Sequence, residues 1–297
     1  IGTSLVKKLN HHNKLYLPKI NLENYNFLKS TKLKNNLFKK ILNKNIDIII
    51  NLHAQTDVTY SNNNPSYDFY HNCLIHFALI EFYKNKKNKP FYINVGTATQ
   101  IGFTDLKKPI NKKLPNIPET FFDLHKQFGE DLINLSNKIH NFPSTTLRLT
   151  NVYGFGSTYS TKRGVIYSII KASYDKKIIN IFGDGKFVRD FIYIDDVISA
   201  IILACKYRKK LNNKFYYICS GKGYSFNKFS KILQKNLKNK YDISLKIKYT
   251  KWPYKTPRIN KRSFVGNPKE FKKITGFNLK VNLENGINKI LKNISEN

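Results

Sequence analysis

The stretch IDIIINLHA, residues 46–54, is apolar through its middle and lacks the alternating polar positions of a strand that faces water. It is short, rich in β-branched isoleucine, and reads as a strand covered on both faces. PFYINVGTAT (90–99) and STTLRLTNVYG (144–154) read the same way. Between these runs lie segments with helical spacing: LKNNLFKKILNK (33–44), SYDFYHNCLIHFALIEFYKN (66–85) and ETFFDLHKQFGEDLINLSNKI (119–139). Upstream, GTSLVKKL (2–9) reads as a helix and KLYLPKI (14–20) as a strand. Buried strands separated by helices define the α/β class, a doubly wound parallel sheet with helices on both faces.

Past Gly156 the order changes. GVIYSIIKASYD (164–175) is helical, IINIFGDG (178–185) is a strand entering a glycine turn, and FIYIDDVISAIILACKY (191–207) is a short strand feeding a helix. KFYYICSG (214–221) and SLKIKYTKW (244–252) are strands around the helix SFNKFSKILQKNL (225–237). The proline-bearing KWPYKTPRINKR (251–262) is a loop, and NPKEFKKITGF (267–277) and LENGINKILKNI (283–294) are terminal helices.

With 297 residues and 41% hydrophobic composition the chain can bury a large core. No apolar run approaches the roughly 18 residues that cross a bilayer, and no secretory leader pattern opens the chain. Cys73, Cys205 and Cys219 show no metal or redox spacing, which fits a reduced, cytoplasmic setting. Lys+Arg of 52 against Asp+Glu of 19 gives a net charge of +33. The lysines are scattered rather than gathered on one segment, which reads as compositional drift. Neither nucleic acid nor membrane is therefore expected as a partner, and a phosphate-bearing small ligand suits the balance. Arginine is the rare cation here: Arg148, Arg163, Arg189, Arg208, Arg258 and Arg262. In a chain that uses lysine for nearly every positive charge, an arginine marks a place that needs a bidentate grip on carboxylate or phosphate. Methionine is absent and IGTSLVKKL starts in helical register, so the chain is expected to be a fragment whose first strand lies upstream.

Open parallel sheets bind ligands beyond the carboxyl ends of their strands. NLHAQTD (51–57), GTATQIG (96–102), NVYGFG (151–156) and GDGKFVRDF (183–191) fall there. Thr97 ends one strand and Lys126 lies in the next helix. A hydroxyl and an amine converging on one crevice could activate a third group; alternatively, Thr97 is a plain strand-end threonine and Lys126 a solvated lysine.

These segments together resemble the extended short-chain dehydrogenase/reductase family, the NAD-dependent nucleotide-sugar epimerases and dehydratases, over nearly the whole chain. IGTSLVKKL resembles the end of the family's glycine-rich entry, which makes Gly2 its last glycine. NLHAQTDV resembles the segment lying along the cofactor, implicating Leu52, His53, Ala54 and Gln55, and Asn72 falls where the family has an asparagine in the next helix. GTATQIG resembles the segment with the catalytic Ser/Thr, here Thr97, and FDLHK the Tyr-x-x-x-Lys segment, which places Phe122 at the tyrosine and Lys126 at the lysine. LRLTNVYGFG and GDGKFVRDFIYIDDV are the most specific matches. The resemblance implies that Asn151, Arg189 and Arg258 or Arg262 hold the diphosphate of a nucleotide-diphosphate sugar, with Asn180 and Phe182 on its base. It also implies a dinucleotide-binding domain of residues 1–154, to which 188–214 return, a substrate domain of 155–187 and 215–297, and a homodimer.

The implied chemistry is hydride transfer at a sugar carbon: a tyrosinate takes the hydroxyl proton while the dinucleotide takes the hydride, with the lysine lowering the tyrosine's pKa and the Ser/Thr orienting the sugar oxygen. Phe122 supplies no acid, so a proton would have to travel by Thr97, His125 or water. Ala98 and Thr99 stand where sugar 4,6-dehydratases carry an Asp–Glu pair, which argues against dehydration. Pro18 and Lys19 stand where NAD-binding relatives carry an acidic residue; NAD is expected, with NADP the alternative through Lys19. The expected function is a nucleotide-sugar 4-epimerase or 4-keto-reductase of cell-surface polysaccharide assembly. The alternative is a non-catalytic sugar-nucleotide-binding homologue.

Overall fold

The structure is a computed structural model, which describes residues 1–9, 15, 42–110, 112–154, 165–254 and 256–296. The strand expected at 14–20, almost all of the helix expected at 33–44, and Pro18 with Lys19 lie outside these residues.

Among the described residues the main sheet has four parallel strands, in the order β1 (Ile48–Asn51), β2 (Phe91–Thr97), β4 (Ser144–Leu149) and β8 (Lys214–Ile218). Neighbouring residues of β2 go to opposite faces. Tyr92 packs with α4 (Leu74–Tyr83), Ile133 and Phe142, whereas Ile93 packs with Leu5 of α1 (Gly2–Leu9) and with Val197 and Ile201 of α7 (Ile194–Lys206). Two apolar layers therefore sandwich the sheet, and this is why its strands carry no polar alternation. On the far side of β1 no strand is paired among the described residues, and Ile48, Ile49 and Ile50 are only half-buried.

The segment 144–154 forms two strands rather than one. β4 stays in the main sheet, and β5 (Asn151–Tyr153) leaves it to pair with β7 (Val188–Tyr193), which also runs antiparallel to β9 (Gly223–Ser225). The break falls at Thr150, whose N–H donates to the Ile218 carbonyl and whose hydroxyl donates to Asp190. β6 (Ile178–Phe182) pairs with β10 (Lys246–Thr250), and β3 (Asp105–Pro109) with β11 (Ser263–Val265). β8 crosses the boundary expected at 214/215: its backbone is bonded to β4, so residues 215–218 belong with the main sheet.

The helix expected over 66–85 is broken at Cys73 into α3 (Pro65–Asn72) and α4, with α2 (Val58–Asn63) before them. α5 (Phe121–His140) starts where Thr120 accepts the Asp123 N–H and stops at Asn141 in the left-handed region. It crosses α4 so closely that a Cβ on Gly129 would lie 2.5 Å from His76 Nε2. Arg148 of β4 holds Glu130 of α5 through two bonds of 2.9 and 2.6 Å, both side chains buried. The remaining helices are α6 (Val165–Lys176), α8 (Arg208–Leu211), α9 (Phe226–Tyr241), α10 (Lys269–Thr275) and α11 (Leu283–Ser295). No described helix is long and apolar enough to cross a membrane.

Asp190 of β7 ties its own strand to the ends of β8 and β11. Its carboxylate accepts from Ser220 N (2.8 Å) and Oγ (2.7 Å), from Gly221 N (2.9 Å) and from Gly266 N (3.1 Å). Asp190→Ala leaves the buried Gly266 N–H and the half-buried Ser220 and Gly221 N–H groups without their acceptor, and an unsatisfied buried group costs about 1–3 kcal/mol. A urea titration should therefore show a loss of at least about 1 kcal/mol of unfolding free energy.

Candidate active site

All main-sheet strands point their carboxyl ends to one side, with Asn51, Thr97, Leu149 and Ile218 as their last residues. Lys126 belongs to this end. It is buried, and its Nζ donates to the Val95 carbonyl of β2 at 2.9 Å, two residues before Thr97. It is therefore no solvated helix lysine. Burial pushes its pKa down to about 8, although Asp68 and Cys73 nearby favour the charged form. Phe122 is one helical turn earlier on the same face of α5 and is also buried, at 8% exposure.

Thr97 is joined to a carboxylate that sequence reading did not single out. Its Oγ1 lies 2.8 Å from Thr99 Oγ1, the Thr99 hydroxyl donates to Asp123 Oδ1, and the Thr120 hydroxyl donates to Asp123 Oδ2 at 2.8 Å. The signal was present in TFFD (120–123), a helix-start pattern that puts Asp123 in the first turn. His125, which by sequence could be either a proton shuttle or an ordinary exposed helix residue, is not exposed: it is buried with Nδ1 2.7 Å from the buried Asp68 carboxylate and its ring against Phe69 and Phe121. It shows no bond to Thr97.

The residues expected along the cofactor form a brace behind Lys126. Leu52, His53, Ala54 and Gln55 leave β1 half-buried, and a Cβ on Gly2 would touch Leu52 at 3.7 Å, so the N-terminus of α1 abuts this segment. Asn72 is buried: its amide donates to the Gln55 carbonyl (3.1 Å) and to Asp68 (3.0 Å), so it shapes the segment from behind. His53 Nε2 lies 3.1 Å from His71 Nδ1. Burial, His71 and Lys126 lower the pKa of His53.

A second group of residues continues away from Thr97. Arg189 donates to the carbonyls of Asn260 (2.8 Å) and Arg262, and its guanidinium lies over Phe187. Burial, with Arg262 alongside, pushes the Arg189 pKa down; burial does the same to Arg262, against the pull of Asp123 and Glu119. Among the described residues the Arg262 guanidinium makes no hydrogen bond or ion pair, whereas Arg258 is exposed and spent on Glu119 at 2.9 and 3.1 Å. Asn151 donates to the Asp190 carbonyl at 2.9 Å and sits beside the same strand. Beyond Phe187 comes Trp252, which stacks on the half-exposed Phe182 at 5.3 Å; Asn180 shares the open face of β6 with it. Trp252 was not anticipated from sequence, although it is the chain's single tryptophan. Thr97, Asp123, Arg262, Arg189, Phe187, Trp252 and Phe182 thus form one continuous series. Arg148 is not part of it, because its guanidinium is held by Glu130 inside the fold.

A putative UDP-glucose 4-epimerase of Methanocaldococcus jannaschii is 29% identical over 244 residues, 79% of this chain and 78% of that protein. A dTDP-4-dehydro-6-deoxyglucose reductase of Escherichia coli is 25% identical over 272 residues, 91% of this chain and 82% of that one. Among solved structures, a tyrosine-to-phenylalanine variant of UDP-glucuronic acid 4-epimerase from Bacillus cereus, bound to UDP-4-deoxy-4-fluoro-glucuronic acid and NAD, superposes with a TM-score of 0.74 at 23% identity, covering 86% of this chain and 77% of that one. The model of the NAD dependent epimerase/dehydratase family matches residues 1–219, and this chain belongs to that family.

Proposed function

We propose that the protein is a nucleotide-sugar 4-epimerase or 4-keto-reductase of cell-surface polysaccharide assembly, working in the cytoplasm with NAD, or with NADP. One observation carries the reading: Arg189 donates to the Arg262 carbonyl, the charge of Arg262 disfavours that of Arg189, and among the described residues neither guanidinium forms a salt bridge with a carboxylate. Two half-buried guanidiniums without a carboxylate partner call for an anion, and a diphosphate supplies the matching charge. The UDP-sugar in the Bacillus cereus complex and the dTDP-sugar in the Escherichia coli enzyme's name support a nucleoside diphosphate sugar as that anion.

The residues present fit the nicotinamide side of a dinucleotide. Lys126 offers an amine at the end of β2, and the half-buried segment Leu52–Gln55 lies beside the N-terminus of α1. When bound, the dinucleotide supplies a hydride acceptor and donor. The chain's part is to hold the diphosphate through Arg189 and Arg262, to lay the base near Phe182 and Trp252, and to face the reacting sugar hydroxyl with Thr97. Ala98 and Thr99 offer no Asp–Glu pair for eliminating water, which leaves oxidation–reduction at the sugar carbon. Phe122 favours a second reading, a protein that binds the sugar nucleotide without turning it over. A spectroscopic assay of hydride transfer with UDP-, GDP- and dTDP-sugars separates the two: binding with no turnover supports the second.

We also propose a homodimer through the face made by α2 to α5. Phe121, Leu124, Phe128, Leu135 and Ile139 form a stripe along α5, each 39–62% exposed. The neighbouring segment Val58–Tyr83 carries no lysine or arginine in a chain of net charge +33, so a second copy can approach there without repulsion. In sedimentation experiments the protein should run at twice the chain mass, and a Leu124→Lys, Leu135→Lys variant at the single-chain mass.

For the ligand, Arg189→Ala and Arg262→Ala should each weaken sugar-nucleotide binding by at least about 1.5 kcal/mol, close to tenfold. Arg258→Ala should change it much less, because that side chain is exposed and paired. Calorimetry with a UDP-sugar reads all three, and equal losses would place the diphosphate elsewhere. Phe122→Tyr should raise turnover at least about tenfold, toward the ~10²–10⁴ of a positioned acid–base group.

A further inference from the structure

We propose that Asp123 is the terminus of a hydroxyl relay, through Thr99 to Thr97, that handles the proton a phenol at position 122 would otherwise handle. The inference rests on the hydride-transfer reading above. Its basis is the direction of the hydrogen bonds. Asp123 is buried and accepts on both oxygens, from Thr99 and from Thr120. A hydroxyl has one proton to give. The Thr99 proton goes to the carboxylate, so the 2.8 Å contact between Thr99 and Thr97 uses the proton of Thr97. Thr97 Oγ1 also accepts the Thr99 N–H at 3.2 Å. What Thr97 keeps for the crevice is one lone pair, so a sugar hydroxyl arriving there meets an acceptor.

The step balances. As the sugar O–H bond breaks, its proton passes to Thr97 Oγ, the Thr97 proton to Thr99, and the Thr99 proton to Asp123. The C–H electron pair leaves as hydride to the oxidised nicotinamide dinucleotide, and the C–O bond becomes a carbonyl. In the return direction protonated Asp123 reverses every bond, and Thr97 presents a proton to the carbonyl oxygen. Thr97 is the residue that touches substrate; Asp123 is a positioning residue that acts through it. Arg262, charge-coupled to Asp123 from the loop before β11, and Glu119 beside it are the other charged groups facing this end, with Lys126 across the site. His125 turns Nδ1 to Asp68 and is not hydrogen-bonded to Thr97, Thr99 or Asp123, so it lies outside the relay.

The test compares binding of a UDP-sugar with its 4-deoxy-4-fluoro analogue, which cannot donate, by calorimetry on the full chain. Wild type should prefer the hydroxyl by about tenfold, the worth of one hydrogen bond to a committed acceptor. Thr99→Val cuts the relay and frees the Thr97 proton, so the preference should fall to within about twofold; Thr99→Ser should restore it. In turnover, Asp123→Asn and Thr99→Val should each lose about 10²-fold, and adding Phe122→Tyr to either should recover the loss. A hydroxyl preference indifferent to Thr99→Val, or full turnover in Asp123→Asn, overturns the relay. A preference that behaves as expected in a protein without turnover retains the hydrogen-bond direction and overturns the enzymatic reading. No binding of either sugar overturns both.

Discussion

The carboxylate of Asp190 is the constraint on which the arrangement depends. It lies in β7, outside the main sheet, yet it accepts from Ser220 and Gly221 just past β8, from Gly266 just past β11, and from Thr150 at the break between β4 and β5. Four pieces of chain are thereby fixed at one point. Burial costs this group enough to raise its pKa to about 6 in spite of its donors. The site follows from that knot, because side chains alternate along a strand. With Asp190 turned into the knot, Arg189 is turned the other way, where the carbonyls of Asn260 and Arg262 hold it beside the second guanidinium.

How much of this could be read in the sequence follows from how local each cause is. β2 lies between two apolar layers and β1 is three isoleucines in a row, so IIIN and FYINVGT could be recognised without knowing their neighbours. β3, β9 and β11 are different. β3 is exposed throughout, β9 and β11 are three residues long, and their pairing is set by the pieces that Asp190 draws together. Thr150 reads as one more β-branched residue in a strand; what ends the strand there is Ile218 and Asp190, distant in sequence.

The scarcity of arginine was a sound pointer to bidentate binding and a poor pointer to what is bound. Arg148 does grip a carboxylate, but that of Glu130 within the core, with Phe215 under its guanidinium at 3.5 Å. A sequence does not say whether the anion will be a side chain or a ligand. Phe122 and Lys126 were legible because one helix fixes their spacing. Asp123 is not legible in this way, because its importance lies in Thr99, which comes from another element.

The absence of a hydroxyl at Phe122 also changes what Lys126 must do. A buried ammonium needs compensation, and with no phenol beside it the compensation comes from behind: the Val95 carbonyl and the charge of Asp68. Asp68 is in turn held by Gln55, Asn72 and His125, so the lysine's counter-charge is fixed by α3 and by the segment that leaves β1. The same cation helps keep its histidine neighbours uncharged: it adds to burial in lowering His53, and in lowering His76 to about 3. Behind the site, hydrogen bonds through Gln55, Asn72 and His125 fix the Asp68 carboxylate in place, and with it the counter-charge that Lys126 meets at the end of β2.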